Sequence, residues 1–151
     1  MKVRRYISND HESLLSLLEK TFCELGNEFL PAGKDADLQD IDGAYIRNGG
    51  CFYVVDHDGE VSGCVGIRRF SSEIAELKRL YLAKECRGFG LGRELCINAI
   101  NDAREFGYKF LRLDTTKKLQ AACALFKKLG FYEISRYNSD SFAEIFMEKV
   151  L

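Results

Sequence analysis

The apolar residues of this chain change their spacing partway along, and that switch limits what it can fold into. Between Cys51 and Leu82 they alternate, the period of strands half-buried in a sheet. Cys51-Phe52-Tyr53-Val54-Val55 is predicted as one strand and Glu60 to Arg69 as the next, with Val61, Gly63, Val65 and Ile67 on one face. Asp58-Gly59 supplies the turn, which leaves His57 as a solvated turn residue. A third strand is expected over about 73–82, where Ile74, Leu80 and Leu82 interleave with Ala75, Leu77 and Tyr81. From Leu91 onward the spacing is helical: Leu91, Leu95, Cys96, Ala99, Ile100, Ala103 and Phe106, stopped by Gly107.

The flanks extend this plan. Phe110 to Asp114 reads as a strand. Leu119, Ala122, Cys123, Phe126 and Leu129 mark a helix closed by Gly130, and two more strands are expected near 131–136 and 141–150. At the other end, a short strand over Val3 to Ile7 precedes an N-cap at Asn9 or Asp10. A helix carrying Leu14, Leu15, Leu18, Phe22 and Leu25 then runs to about Gly26. Residues 27–48 hold the only proline, Pro31, and the acidic run Asp35, Asp37, Asp40, Asp42; one short helix is expected around 37–47. The rest of that stretch reads either as a substrate-contacting loop, whose acids would attract a cationic amine, or as a solvated connector. Without repeats or linkers, residues 1–151 are expected to form one α+β domain, antiparallel in its first half and joined by crossover helices in its second.

A chain of 151 residues buries roughly 70% of its unfolded surface, enough for a core without metals or disulfides. The net charge of −1 argues against nucleic acid, which needs a concentrated basic surface. The densest cationic group, Arg68, Arg69, Lys78, Arg79, Lys84 and Arg87, suits one small polyanion better. No apolar stretch of signal-peptide length follows the basic N-terminus, and no run reaches the ~20 apolar residues of a membrane span, so a cytoplasmic setting is expected. Cysteines 23, 51, 64, 86, 96 and 123 contain no C-x-x-C pair and read as reduced, buried small hydrophobes. His11 and His57 lie too far from any cysteine pair to suggest zinc, so no metal is expected.

The segment between the third strand and the following helix is Cys86-Arg87-Gly88-Phe89-Gly90-Leu91-Gly92-Arg93. Alternate glycines let the backbone approach a ligand, and the helix start offers unpaired N–H groups and a positive dipole end, the setting for phosphate. Arg87 and Arg93 flank it and could add charge-assisted contacts. A Walker loop needs a lysine and a hydroxyl residue after its glycines, and neither is here. A dinucleotide loop needs a third glycine where Arg93 stands.

Arg87-x-x-Gly90-x-Gly92 matches the [QR]-x-x-G-x-[GA] signature of the GNAT acetyltransferases, which the chain resembles from about residue 51 to its end. Ala75 to Leu82 looks like that family's fourth strand, Ala122-x-x-Leu125-Phe126-x-x-x-Gly130-Phe131 like its late helix and next strand, and Phe146 to Lys149 like its last strand. The resemblance implies a three-layer α/β/α fold with a mixed, mostly antiparallel sheet splayed between its fourth and fifth strands. It also implies acetyl-CoA as cosubstrate, held by main-chain groups of Leu80, Tyr81 and Leu82 at the pantetheine arm. Arg87, Gly88, Phe89, Gly90, Leu91, Gly92 and Arg93 would hold the pyrophosphate, and Phe126 would contact the coenzyme from the late helix.

The chemistry implied is aminolysis of a thioester by direct attack on a small amine, an amino acid or a protein amine. An alkylamine with a pKa of about 10 must lose a proton before it attacks. Glu76 matches the family's strand glutamate and Glu73 stands second; either could instead pair with Lys78, Arg79 or Arg69 across the sheet. The tyrosine that protonates the leaving thiolate is replaced by Phe126, and the asparagine seven residues earlier by Leu119. Tyr132 is the expected substitute acid, with Tyr81, Tyr137 and water as alternatives. That substitution leaves open a second reading, a coenzyme-binding module of the same fold without catalysis. Dimers are common in the family, and the exposed edge of a terminal strand would permit one.

Overall fold

The computed structural model describes residues 1–151. In chain order its elements are β1 (Lys2–Arg5), α1 (His11–Glu24), β2 (Cys51–His57), β3 (Glu60–Arg69), β4 (Ile74–Leu82), α2 (Leu91–Glu105), β5 (Phe110–Thr115), α3 (Gln120–Lys128), β6 (Tyr132–Ile134) and β7 (Ile145–Val150). The strands form one sheet in the order β1-β2-β3-β4-β5-β7-β6, antiparallel at every junction except the parallel β4–β5 pair. The fold is the expected three-layer one. The alternation of β2 and β3 divides their side chains between two cores. Leu14, Leu17, Leu18 and Phe22 of α1 meet Phe52, Val54 and Cys64 on one face of the sheet. On the other face Leu91, Leu95, Ala99 and Ile100 of α2 and Phe126 of α3 meet Val65, Ile67, Leu77, Leu111 and Leu113. No helix is long and apolar enough to cross a membrane.

Two irregularities in β4 shape everything functional. Its pairing with β5 covers only Ile74 to Glu76, opposite Phe110 to Arg112. Beyond Glu76 the two strands separate, and β4 continues to Leu82 with an unpaired edge. On the β3 side, Gly66 faces Lys78 while Cys64 faces Tyr81, so Val65 alone opposes both Arg79 and Leu80. This bulge puts Arg79 at a φ of 62°, a left-handed conformation rare outside glycine. The extra residue increases the local twist of β4 just beyond the point where it parts from β5.

The strain is held in place by ion pairs. Arg79 donates to Asp37 from Nε (3.0 Å) and Nη2 (2.6 Å), to Asp35 from Nη1 (2.9 Å) and to the Lys34 carbonyl (3.2 Å). Burial alone would raise both carboxyls. On Asp37 the Arg79 contacts outweigh it, and on Asp35 the Leu30 amide, Lys34 and Arg79 do, so both sit below the usual carboxylate range. Asp35 is only 1% exposed. The acidic run is therefore neither a solvated connector nor a free amine trap at Asp35 and Asp37. Asp37 also accepts from the Tyr45 hydroxyl, and Asp40 accepts from the Gly43 amide at 2.9 Å. These side-chain contacts break the helix expected over 37–47 into a 3-10 turn at Ala36–Gln39 and a π turn at Asp42–Ile46.

Smaller corrections concern the edges. β1 ends at Arg5, because Asp10 accepts from the Ile7 amide and turns the chain into α1. β6 is three residues long, and β7 begins only at Ile145. Cys51, Cys64, Cys86 and Cys96 are buried as expected, whereas Cys23 is exposed and Cys123 half-buried. Burial pushes the Cys64 and Cys96 thiols up to about 12, so they remain protonated and inert.

Candidate active site

The parting of β4 and β5 opens a cleft of about 1070 Å³. Glu76, Lys78, Leu80 and Tyr81 line it from β4, Leu113 to Thr115 from β5, and Ala122 and Phe126 from α3. Its far wall comes from residues between α1 and β2 (Leu30, Lys34) and from the stretch Asn138 to Glu144.

At the end of β4 the chain reaches the glycine loop. Gly88 and Gly90 have φ values of 86° and 78°, and a Cβ at either would meet nothing within 4 Å. Glycine is needed there for conformation, not for space. Glu94 is the first residue of α2 whose amide bonds a helical carbonyl, that of Gly90 at 3.0 Å. The amides of residues 88–93 have no acceptor in the protein. They lie at and just before the positive end of α2, a setting that fits a diphosphate. A Cβ on Gly92 would come within 3.4 Å of Leu82 and 3.6 Å of Leu125, so this first turn lies directly against the end of β4 and against α3.

The flanking cations behave differently from each other. Arg93 is exposed in the first turn of α2. Arg87 donates from Nε and Nη2 to the Leu82 carbonyl (3.1 and 3.0 Å) and from Nη2 to Glu24 (3.1 Å). Its guanidinium thus ties the loop to β4 and α1 instead of pointing to an open anion site. Phe89 is 65% exposed at the loop tip, and Leu91 is buried beneath it in the core.

Glu76 lies where the strands part, 4% exposed yet lining the cleft. Its Oε1 accepts two bonds from Arg68, from Nε at 3.2 Å and Nη2 at 3.1 Å; Oε2 accepts one from the Tyr137 hydroxyl at 2.8 Å. The cross-strand partner is thus Arg68, not Arg69, Lys78 or Arg79. A carboxylate offers about four lone-pair sites, so one on Oε2 stays open. Burial, then Glu76, pushes the Tyr137 hydroxyl far above the usual phenol range, so it stays a donor. Lys78, two residues on, lies 3.7 Å from Asp114 of β5, which also accepts from Asn138 at 2.6 Å.

The other expected residues separate. Tyr132 is 43% exposed on β6 and its hydroxyl donates to Glu148, which Arg112 also holds at 2.9 Å; it does not line the cleft. Glu73 pairs with Lys109 at the surface, at 2.8 Å. Phe126 does line the cleft, 3% exposed and edge-on to Phe131 at 5.7 Å. Leu80 and Tyr81 line it too, while Leu82 is half-buried beside α2. Arg68 could have been found from sequence, because the register of the β3–β4 hairpin sets it opposite Glu76. Tyr137, named from the sequence only as an alternative acid, reaches Glu76 from 61 residues away, and nothing in the sequence marks that pairing.

The profile described as the Acetyltransferase (GNAT) family matches residues 13–131. The Escherichia coli protein named uncharacterized N-acetyltransferase YjgM is 34% identical over 140 residues, 87% of this chain and 82% of that protein. A GNAT-family acetyltransferase from Staphylococcus aureus Mu50 superposes with a TM-score of 0.88 at 21% identity, over 99% of this chain and 98% of that one. A phosphinothricin acetyltransferase from Sinorhizobium meliloti, solved in complex with AcCoA, superposes with a TM-score of 0.79 at 20% identity, over 99% and 88%. At such identities the structural likeness is one of fold. With the family profile and the Escherichia coli relative beside it, the chain belongs to the GNAT family of acetyltransferases and is an acetyl-CoA-dependent acyltransferase.

Proposed function

We propose that this protein acetylates a primary amine by direct attack of its nitrogen on the thioester of acetyl-CoA. The observation that carries this reading is one continuous arrangement: acceptor-free amides at residues 88–93, an unpaired β4 edge leading away from them, and a buried carboxylate where that edge begins. The amides of the loop would take the pyrophosphate, and the edge from Leu80 to Leu82 would take the amide groups of the pantetheine arm. The thioester would then lie in the cleft beside Phe126. The complex of the Sinorhizobium meliloti protein with AcCoA supports the choice of ligand.

In the reaction the nitrogen bonds to the carbonyl carbon, the carbon–sulfur bond breaks, and one proton must leave nitrogen while sulfur gains one. Glu76 accepts the proton, through water, at the open lone pair of Oε2. Phe126 has no proton to give. Tyr132 lies outside the cleft, so the departing thiolate takes its proton from water or from the amine's own released proton. No cysteine nucleophile is needed, in keeping with the raised thiols of Cys64 and Cys96. The amine-bearing molecule enters from the side walled by Leu30, Lys34 and Asn138 to Glu144.

The test is thiol release from acetyl-CoA across a broad panel of amines, amino acids and peptides, with Glu76→Gln beside the wild type. Turnover of at least one amine is expected, with kcat lowered by about 10²–10⁴-fold in the variant, the usual worth of a general base. Tight acetyl-CoA binding without turnover of any panel member would favour the non-catalytic binding module.

A further inference from the structure

Arg68 does not by itself fix the Glu76 carboxylate. Both of its hydrogen bonds go to Oε1, and the terminal torsion of a glutamate is broad and weakly restricted. Only the Tyr137 hydroxyl holds Oε2. Tyr137 therefore decides where the one open lone pair of that oxygen faces.

The ring that carries this hydroxyl is itself held on several sides. Phe70 stands edge-on at 5.2 Å and Phe146 at 5.5 Å, and the Arg112 guanidinium lies 5.2 Å from the ring centre. The backbone around it has no regular structure between β6 and β7, yet side chains pin it. Arg136 donates to the carbonyls of Asp140 (2.7 Å) and Ala143 (3.0 Å) while lying over Phe146, and Asn138 donates to Asp114 on β5. The same stretch, Asn138 to Glu144, forms the acceptor-side wall of the cleft. One tyrosine thus joins that wall to the buried carboxylate across the parting of the strands.

We infer that Tyr137 is the positioning residue for Glu76, aligning its carboxylate for proton removal and coupling that alignment to the acceptor wall. This rests on the reading of Glu76 as the base. Tyr137 acts through Glu76 and need not touch either substrate. It supplies a fixed hydroxyl near the reaction in a chain whose late-helix position is Phe126.

The experiment is a double-mutant cycle of wild type, Tyr137→Phe, Glu76→Gln and the double variant, using an amine that the wild type acetylates. Phenylalanine keeps the ring contacts, so the melting temperature should stay within a few degrees of wild type. Expected is a fall in kcat of about tenfold for Tyr137→Phe, the scale of one hydrogen bond to a charged group. The KM for acetyl-CoA should be unchanged. In the Glu76→Gln background, Tyr137→Phe should cost nothing further, because its effect passes through the missing carboxylate. An equal loss in both backgrounds, or a wild-type kcat in Tyr137→Phe, overturns the inference while leaving Glu76 as base. A wild-type kcat in Glu76→Gln alone overturns the base assignment, and this inference with it.

Discussion

Gly90→Glu separates the demands of the loop backbone from those of its ligand. Gly90 is the N-cap of α2 at a φ of 78°, and a Cβ there meets nothing within 4 Å. Any replacement bears the left-handed conformation, at about 1–2 kcal/mol of stability, without a clash. Gly90→Ala measures that cost alone. Glutamate adds a carboxylate on a short flexible stem beside amides that have no other acceptor. At about 5 Å from a phosphate charge and an effective dielectric of about 20, one pair of like unit charges repels by about 3 kcal/mol. That corresponds to about a hundredfold loss of affinity for Gly90→Glu relative to Gly90→Ala. Titration calorimetry with acetyl-CoA on the three proteins reads it, and raising the salt should narrow the gap. Equal affinities for the alanine and glutamate variants would refute the placement of the diphosphate on this loop.

Arg79→Met should destabilise the protein by about 3–5 kcal/mol in urea unfolding, because it leaves the buried Asp35 and the half-buried Asp37 without their shared cation. The deficit should depend on pH. Both carboxyls sit below their ordinary value in the folded chain, so the wild-type advantage is complete above the unfolded pKa of about 3.9 and shrinks as pH falls through the lower folded values. A deficit that persists undiminished at pH 2 would contradict the ion-pair account.

Periodicity made the sheet and helices legible because their faces are buried: the shared face of Gly63, Val65 and Ile67 and the spacing of Leu91 to Ala103 survive into the structure, whereas Val61, expected on that face, is turned to the α1 side by the β2–β3 bulge at Ser62. The glycine loop was legible for the same local reason, since φ values of 86° and 78° at Gly88 and Gly90 are what such residues are for. What escaped depends on contacts between distant residues. A positive φ at Arg79 follows from a bulge opposite Val65 and from carboxylates more than 40 residues away. The short helix expected over 37–47 failed because Asp37 and Asp40 serve Arg79, Tyr45 and Gly43 rather than a helical turn. Among the tyrosines, Tyr132 was the expected substitute acid, with Tyr81 and Tyr137 as alternatives. The return of β7 beside β5 instead carries Tyr137 to Glu76 and leaves Tyr132 on Glu148 at the outer edge.

In the proposed complex acetyl-CoA lies from the glycine loop along the unpaired edge of β4. Amide chemical shifts of the 15N-labelled protein during a titration with acetyl-CoA test it most directly. The largest changes are expected at residues 88–93, whose N–H groups would gain acceptors, and over Leu80 to Leu82, whose free edge would pair with the pantetheine arm. Saturable binding that leaves those amides unmoved and shifts another surface would contradict it.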